Sequence, residues 1–235
     1  MSASLPPSVV PVSTAHAQAP AEAWRQAWTC PAVRRSWLLL LVLMFGGLVP
    51  LVPGFFHYIQ QRPGAMLPDP LLTLLPCQDH ATLIFVLMYG SVVVGVGWLL
   101  AHPALFLRGM WALLLLLLMR LTTIWLLPLA PPALLLPMPD PFLAHLFRTT
   151  SSEVITKDLF FSGHTSTVAL LALAVRGRGW RWLLWLATVA VGVLVLVQRV
   201  HYSYDVLAAP LFSWLAYWIG GKLVSKELTA QTLDH

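Results

Sequence analysis

Two histidines in this chain of 235 residues stand among polar groups that a simple membrane anchor has no use for. His164 lies in LFFSGHTSTV, Leu159 to Val168, where Ser162, Gly163, Thr165 and Ser166 surround it at the mouth of an apolar run. His201 lies in QRVHYSYDV, Gln198 to Val206, with Asp205 four residues further on. Residues four apart share a helix face, so a helix that has begun by His201 brings the Asp205 carboxylate to an imidazole nitrogen. That contact fixes the tautomer and leaves the other ring nitrogen the better nucleophile. A Ser-Gly-His run at a helix start offers free backbone N–H groups and the positive end of the helix dipole, a setting for an anion. These parts fit phosphoryl transfer through a covalent phosphohistidine. His201 attacks phosphorus, His164 protonates the departing alcohol and later activates the acceptor, and the N–H groups near Ser162 and Gly163 hold the phosphoryl oxygens. Two plainer readings stand beside this one: His164 as a packing residue, and His201 with Tyr202 as members of an interfacial aromatic belt. His164, His201 and Asp205 also form a conceivable facial zinc set, but no paired His or Cys motif at metal spacing accompanies them. Neither metal nor cofactor is expected.

The elements that must position these residues are membrane helices. Hydrophobic residues make up 58% of the chain and charged ones 10%, and the apolar runs are too long for the core of a soluble domain of this size. About 20 residues cross about 30 Å of hydrocarbon. Five stretches are long enough: 37–56, 81–101, 109–130, 182–200 and 203–221. A sixth, 164–175, is short, and is counted because omitting it reverses the direction of the two that follow. The expected fold is all-α, one bundle of six transmembrane helices. Residues 1–36 read as a disordered cytoplasmic tail, 37–224 as the catalytic membrane domain and 225–235 as a second cytoplasmic tail. The run AHAQAPA resembles a signal-peptidase site, but no basic start or apolar core precedes it.

Cytoplasmic loops carry an excess of Lys and Arg. With the N-terminus inside, the cytoplasm holds Arg25, Arg34, Arg35, Arg108, Arg176, Arg178, Arg181, Lys222 and Lys226, against Arg62, Arg148, Lys157 and Arg199 outside. Both termini are then cytoplasmic and both histidines face outward, toward the periplasm if the membrane is a bacterial inner membrane. The net charge of +5 reflects this topology and anionic lipid, with no nucleic-acid partner implied. Cys30 and Cys77 fall on opposite sides and do not pair. Twelve residues separate His164 from Arg176 at the inner end of its span, a rise of about 18 Å, which places His164 in a pocket below the outer surface. Two Pro-rich outer connections, RPGAMLPDPLLTLLPCQDH and the longer PPALLLPMPDPFLAHLFRTTSSEVITKDLFF, lie on the same side.

FSGHT followed by HYSYD resembles the type 2 phosphatidic acid phosphatase superfamily, whose signatures include Ser-Gly-His and a later His-x-x-x-Asp. KDLFFSGHT and HYSYDV look closer to its sphingomyelin synthase branch, and LPDPL and RLTTIWLLPLAPP resemble that branch's first loop and Arg-containing third span. The resemblance implies six spans, an outward-facing active site and the roles given above to His164, His201 and Asp205. The superfamily's Lys-x6-Arg-Pro signature is absent, Val195 stands where an arginine is expected, and Thr156 stands where the branch tends to carry cysteine. Other groups must then neutralise the phosphate. Arg120 is the first candidate, because an arginine at this depth costs about 2.5 to 3.5 kcal/mol on insertion scales and is seldom kept without a partner or pocket. Snorkelling, or pairing with Asp158, is its plainer reading. Arg199 is the second candidate, or else an interfacial anchor. The expected function is a metal-independent lipid phosphatase or phospho-head-group transferase whose partners are a phospholipid or lipid phosphate and a water or lipid-alcohol acceptor. A small transporter with a His/Arg-lined pathway is the alternative.

Overall fold

The computed structural model describes residues 19–139 and 155–224, and every named element within them is helical. The helices are α1 (Pro20–Thr29), α2 (Pro31–Leu41), α3 (Val49–Gln61), α4 (Pro70–Leu74), α5 (Ala81–Leu100), α6 (Pro103–Leu126), α7 (Gly163–Ala174), α8 (Arg178–Val197) and α9 (Ser203–Leu223). A π-helical segment, Val42–Leu48, joins α2 to α3, so 31 residues from Pro31 to Gln61 run as one helical segment. Proline opens α1, α2, α4 and α6, where the missing N–H has no partner to lose and the fixed φ suits the helix.

Five segments are long and apolar enough to cross a membrane: Pro31–Gln61, α5, α6, α8 and α9. The stretch expected as the sixth span is α7, which has only 12 residues and rises about 18 Å. It sits at the centre, packed by α5, α6, α8 and α9, with Val168, Ala169, Ala172 and Ala174 fully buried. Small residues bring its neighbours close. A Cβ on Gly95 of α5 would lie 2.9 Å from Leu171 Cδ2, and one on Gly192 of α8 would lie 2.8 Å from Val206 Cγ1 of α9. Close backbone approach of this kind is how helices associate in lipid, where burial of apolar area gives no drive. The outward faces carry exposed Val86, Val93, Leu186, Leu207 and Leu211, as a lipid-facing bundle requires.

Element ends differ from expectation for local reasons. The third span runs from Pro103 to Leu126 instead of 109 to 130, because Pro128 disfavours helical geometry at Leu127, which takes φ −117 and ψ 85. Within the stretch read as a tail, α1 forms and packs Trp24 against Trp37 and Phe106, with the Trp24 indole donating to the Leu100 carbonyl at 2.7 Å. Residues 1–18, 140–154 and 225–235, including Arg148 and Lys226, lie outside the described residues. Cys30 and Cys77 are both free. At one end of the bundle the connections 62–80, 128–139 and 198–202 are tied together. Leu136 N–H donates to the Gln198 carbonyl, Gln78 N–H to the Val197 carbonyl, and Ala65 pairs with Leu129 in an isolated bridge.

Candidate active site

His201 and Asp205 meet, though by a different route from the one their spacing suggests. Helix α9 begins at Ser203, so His201 precedes it and the two do not share a helical face. Asp205 is instead the third residue of the helix, and its carboxylate turns back over the N-terminus. There Oδ2 accepts the Tyr202 N–H at 3.1 Å and lies 3.2 Å from His201 Nδ1. Satisfying an orphan N–H of the first turn thereby aims the carboxylate at the ring. Both side chains are buried, His201 at 4% exposure and Asp205 at 0%. With Nδ1–H donating to the carboxylate, Nε2 is left with its lone pair.

His164 is the second residue of α7, whose N-cap is Ser162. Ser162 Oγ accepts the Thr165 N–H at 3.3 Å, so one of the helix-start donors expected to face an anion is taken by the cap. The Ser162 N–H donates to the Asp205 carbonyl at 3.1 Å, stitching the two motifs together through backbone. The rings of His164 and His201 stand 6.4 Å apart, centroid to centroid, a separation that lets both reach one tetrahedral group placed between them. Both line a cleft of about 410 Å³ including its open mouth, with Leu135, Pro137, Met138, Ile155, Thr156, Asp158 and Val200 as its other walls. Among the described residues, no group of three His, Cys, Asp or Glu side chains is placed to hold a metal ion.

Arg120 is buried in α6 and turned toward the loop ahead of α7. One guanidinium nitrogen donates to the Phe161 carbonyl, and the other lies 2.6 Å from Asp158 Oδ2. The pairing with Asp158 therefore exists, and it holds the 158–161 loop against α6. The guanidinium also lies across Gly163, where a Cβ would come within 2.9 Å of Cζ. A side chain at that position would push the guanidinium away from its bonds to Phe161 and Asp158. Arg199 takes another course: its backbone has φ 60 and its NH2 donates to the Leu75 carbonyl at 2.8 Å, and it is absent from the cleft walls.

Three further residues organise the site. Gln198, fully buried, accepts the His80 N–H through Oε1 at 2.6 Å and donates through Nε2 to Asp79 and to the Leu136 carbonyl. The Tyr202 hydroxyl donates to the Ala130 carbonyl at 2.9 Å and accepts the Leu67 N–H at 3.2 Å, so this tyrosine is a buried tie between three connections and not a member of an interfacial belt. Asp69, 8% exposed, accepts from Leu71 N and Leu72 N at the start of α4 and from both the N–H and the hydroxyl of Ser203. Burial by itself would raise the Asp69 carboxyl, but the hydrogen bonds from Ser203, Leu72 and Leu71 outweigh it and hold the group below its ordinary 3.8. A depressed carboxyl contributes its stability above the unfolded-state value and loses it as pH falls through the lower folded value, so these bonds persist throughout the neutral range. Asp-Pro-Leu-Leu signals a helix cap in sequence, but the partner 134 residues away is invisible there.

The loop ahead of α7, the two histidine motifs and the helices that carry them fall in one stretch of chain. Residues 157–222 match the family model described as PAP2 superfamily C-terminal. The match supports the wider PAP2 superfamily and spans His164, His201 and Asp205, while Arg120 and Asp69 lie outside it. No curated protein and no solved structure matches the chain.

Proposed function

We propose that the chain is an integral membrane lipid phosphatase or phospho-head-group transferase working through a phosphohistidine on His201. The observation that carries this reading is the pair of histidines on one cleft, with the Nδ1 of one held by a buried carboxylate. In the first step Nε2 of His201 bonds to phosphorus, the phosphorus–oxygen bond to the lipid alcohol breaks, and His164 gives that oxygen its proton. In the second, His164 takes a proton from water or from a lipid alcohol, whose oxygen attacks phosphorus and expels His201. Asp205 stays hydrogen-bonded to Nδ1–H and offsets the positive charge that the ring acquires. Arg120 and the helix start at Gly163, which like Arg199 are not walls of the cleft, lend positive potential from behind Asp158 and His164, with Asp158 as Arg120's counter-ion in the resting site. Arg199 serves the site from a distance, by tying its turn to Leu75. The superfamily match supports chemistry on lipid phosphates. Sphingomyelin synthase-like transfer is the form suggested by KDLFFSGHT and HYSYDV. Purified protein given phosphorus-labelled phospholipids, with and without a lipid alcohol, separates the options: label in water reports hydrolysis, and label in a new lipid reports transfer. Label in neither, across phospholipids and lipid phosphates alike, sinks the proposal.

The proposed topology has six spans, α7 being the short one, with residues 37–224 as the catalytic unit. Among the described residues, Arg62, Lys157 and Arg199 lie at the cleft end. Arg25, Arg34, Arg35, Arg108, Arg176, Arg178, Arg181 and Lys222 belong to the segments at the opposite end. Eight against three supports a cleft facing the periplasm of a bacterial inner membrane, with both termini cytoplasmic. The native cysteines test it. Cys77 is exposed in the connection between α4 and α5, at the cleft end, and Cys30 joins α1 to α2 at the other. A membrane-impermeant thiol reagent added to intact cells is expected to label the protein, and Cys77→Ser is expected to abolish that label. Label retained in Cys77→Ser and lost in Cys30→Ser would reverse the orientation.

A further inference from the structure

The Asp69 carboxylate receives four hydrogen bonds from two helices that are far apart in sequence. Oδ1 caps α4 by accepting from Leu71 N at 3.1 Å and Leu72 N at 3.2 Å, and it takes the Ser203 hydroxyl at 2.9 Å. Oδ2 takes the Ser203 N–H at 2.6 Å. Ser203 is the first residue of α9, and Tyr202 just before it donates its N–H to Asp205. Two carboxylates therefore hold consecutive N–H groups at the start of one helix, Asp69 from outside and Asp205 from within. Only the inner one touches His201. The outer one fixes where the helix begins, and with it the carboxylate two residues further on. Helix starts held only by their own residues fray, and the loss of a cap shifts the first turn. Tyr202 reinforces the link, since its hydroxyl accepts the Leu67 N–H two residues before Asp69.

We infer that Asp69 is a positioning residue for the His201–Asp205 pair, acting through Ser203 to set the first turn of α9 and hence the imidazole tautomer. The inference rests on the phosphohistidine reading for its kinetic consequence, and on hydrogen-bond geometry alone for its tautomer consequence. The first connection thus serves as a brace for the nucleophile, and LPDPL has a role without touching the substrate.

Two variants break the same link from opposite sides. Asp69→Asn retains an oxygen to cap α4 but presents an NH₂ to the Ser203 N–H, setting donor against donor. Ser203→Pro removes that N–H and the hydroxyl while leaving Asp69 on α4. Proline is accepted at the first position of a helix, and Tyr202, at φ −78 and ψ 158, already has the extended backbone that a residue before proline needs. Misplacing a reacting group by about 1 Å can cost about 10²-fold in rate. Both variants are expected to form the phosphoenzyme at least about tenfold more slowly, with KM within about twofold of wild type and full label stoichiometry on His201. In isotope-labelled histidine NMR of the purified protein, wild-type His201 is expected to carry its proton on Nδ1, and both variants to show a mixture of tautomers. A wild-type rate in either variant overturns the inference, as does an unchanged tautomer. A rate loss that scales only with a lowered melting temperature also overturns it, since a brace that merely stabilises the fold would do the same. If wild type takes no label on His201, the phosphohistidine reading fails separately, and the tautomer spectra still decide the role of Asp69.

Discussion

His201→Ala is expected to reduce turnover to background while leaving the protein in the membrane. Removing the nucleophile of a covalent mechanism costs on the order of 10⁶ in kcat when the remaining groups act only in concert with it. His164 does not substitute for it. It sits on the other side of the cleft at the start of α7, whereas the buried Asp205 carboxylate lies against the ring of His201. The structural cost is smaller. Asp205 Oδ2 keeps the Tyr202 N–H when the imidazole is gone, so the carboxylate loses one of two partners, a loss of about 1 to 3 kcal/mol. The assay therefore belongs well below the melting temperature, with the far-UV spectrum and detergent elution of the variant compared with those of wild type. Substantial turnover in a folded His201→Ala protein would exclude His201 as nucleophile.

Asp205→Asn separates orientation from size. The amide fits the same space, but one oxygen, Oδ2, serves both the Tyr202 N–H and His201 Nδ1, so an NH₂ turned to the ring gives up the Tyr202 bond. An NH₂ in the place of Oδ2 donates to His201 Nδ1, which must become an acceptor, and the ring proton moves to Nε2. The attacking nitrogen is lost to the wrong tautomer, and the negative charge that offsets the phosphorylated ring goes with it. A swap of this kind in an acid-oriented histidine lowers turnover by about 10⁴. Insertion, yield and melting are expected to stay close to wild type, because a neutral amide costs no more to bury than a carboxylate. Comparison with Asp205→Ala sharpens the result, since alanine removes both contacts and leaves a void, and is expected to lower the melting temperature further. Full activity in Asp205→Asn would reduce Asp205 to a helix-start residue.

The parts of this site legible in the sequence were those written into contiguous stretches. Apolar runs marked the helices, and Ser-Gly-His before the run at 164 marked the start of α7, though not the serine cap that takes one of its N–H groups. His201 and Asp205 were legible as a pair, but the helical-face reason was mistaken. The contact depends on where α9 begins, and a carboxylate at the third helical position reaching backwards produces the same distance as a shared face. Arg120 was legible as a buried cation in need of a partner, and Asp158 fills that place. What stayed hidden were ties across more than a hundred residues. Asp69 reaches Ser203, Gln198 reaches His80, and Tyr202 reaches Leu67, each a single polar contact with no periodicity to betray it. Such contacts follow from how the connections at the cleft end fold over one another, and local pattern carries no record of that. The plainer reading of Tyr202 falls for the same reason: an aromatic residue near a helix end looks interfacial until its hydroxyl finds two buried backbone groups.

The most direct test of the central claim is to trap the intermediate. Wild-type protein mixed with a phosphorus-labelled lipid substrate and quenched within the first turnover is expected to retain label that survives base and is released by acid, as a phosphorus–nitrogen bond requires. Peptide mapping is expected to place it on His201, with none on His201→Ala. Turnover by the wild-type protein with no label trapped at any time, or label on a residue other than His201, would contradict the account.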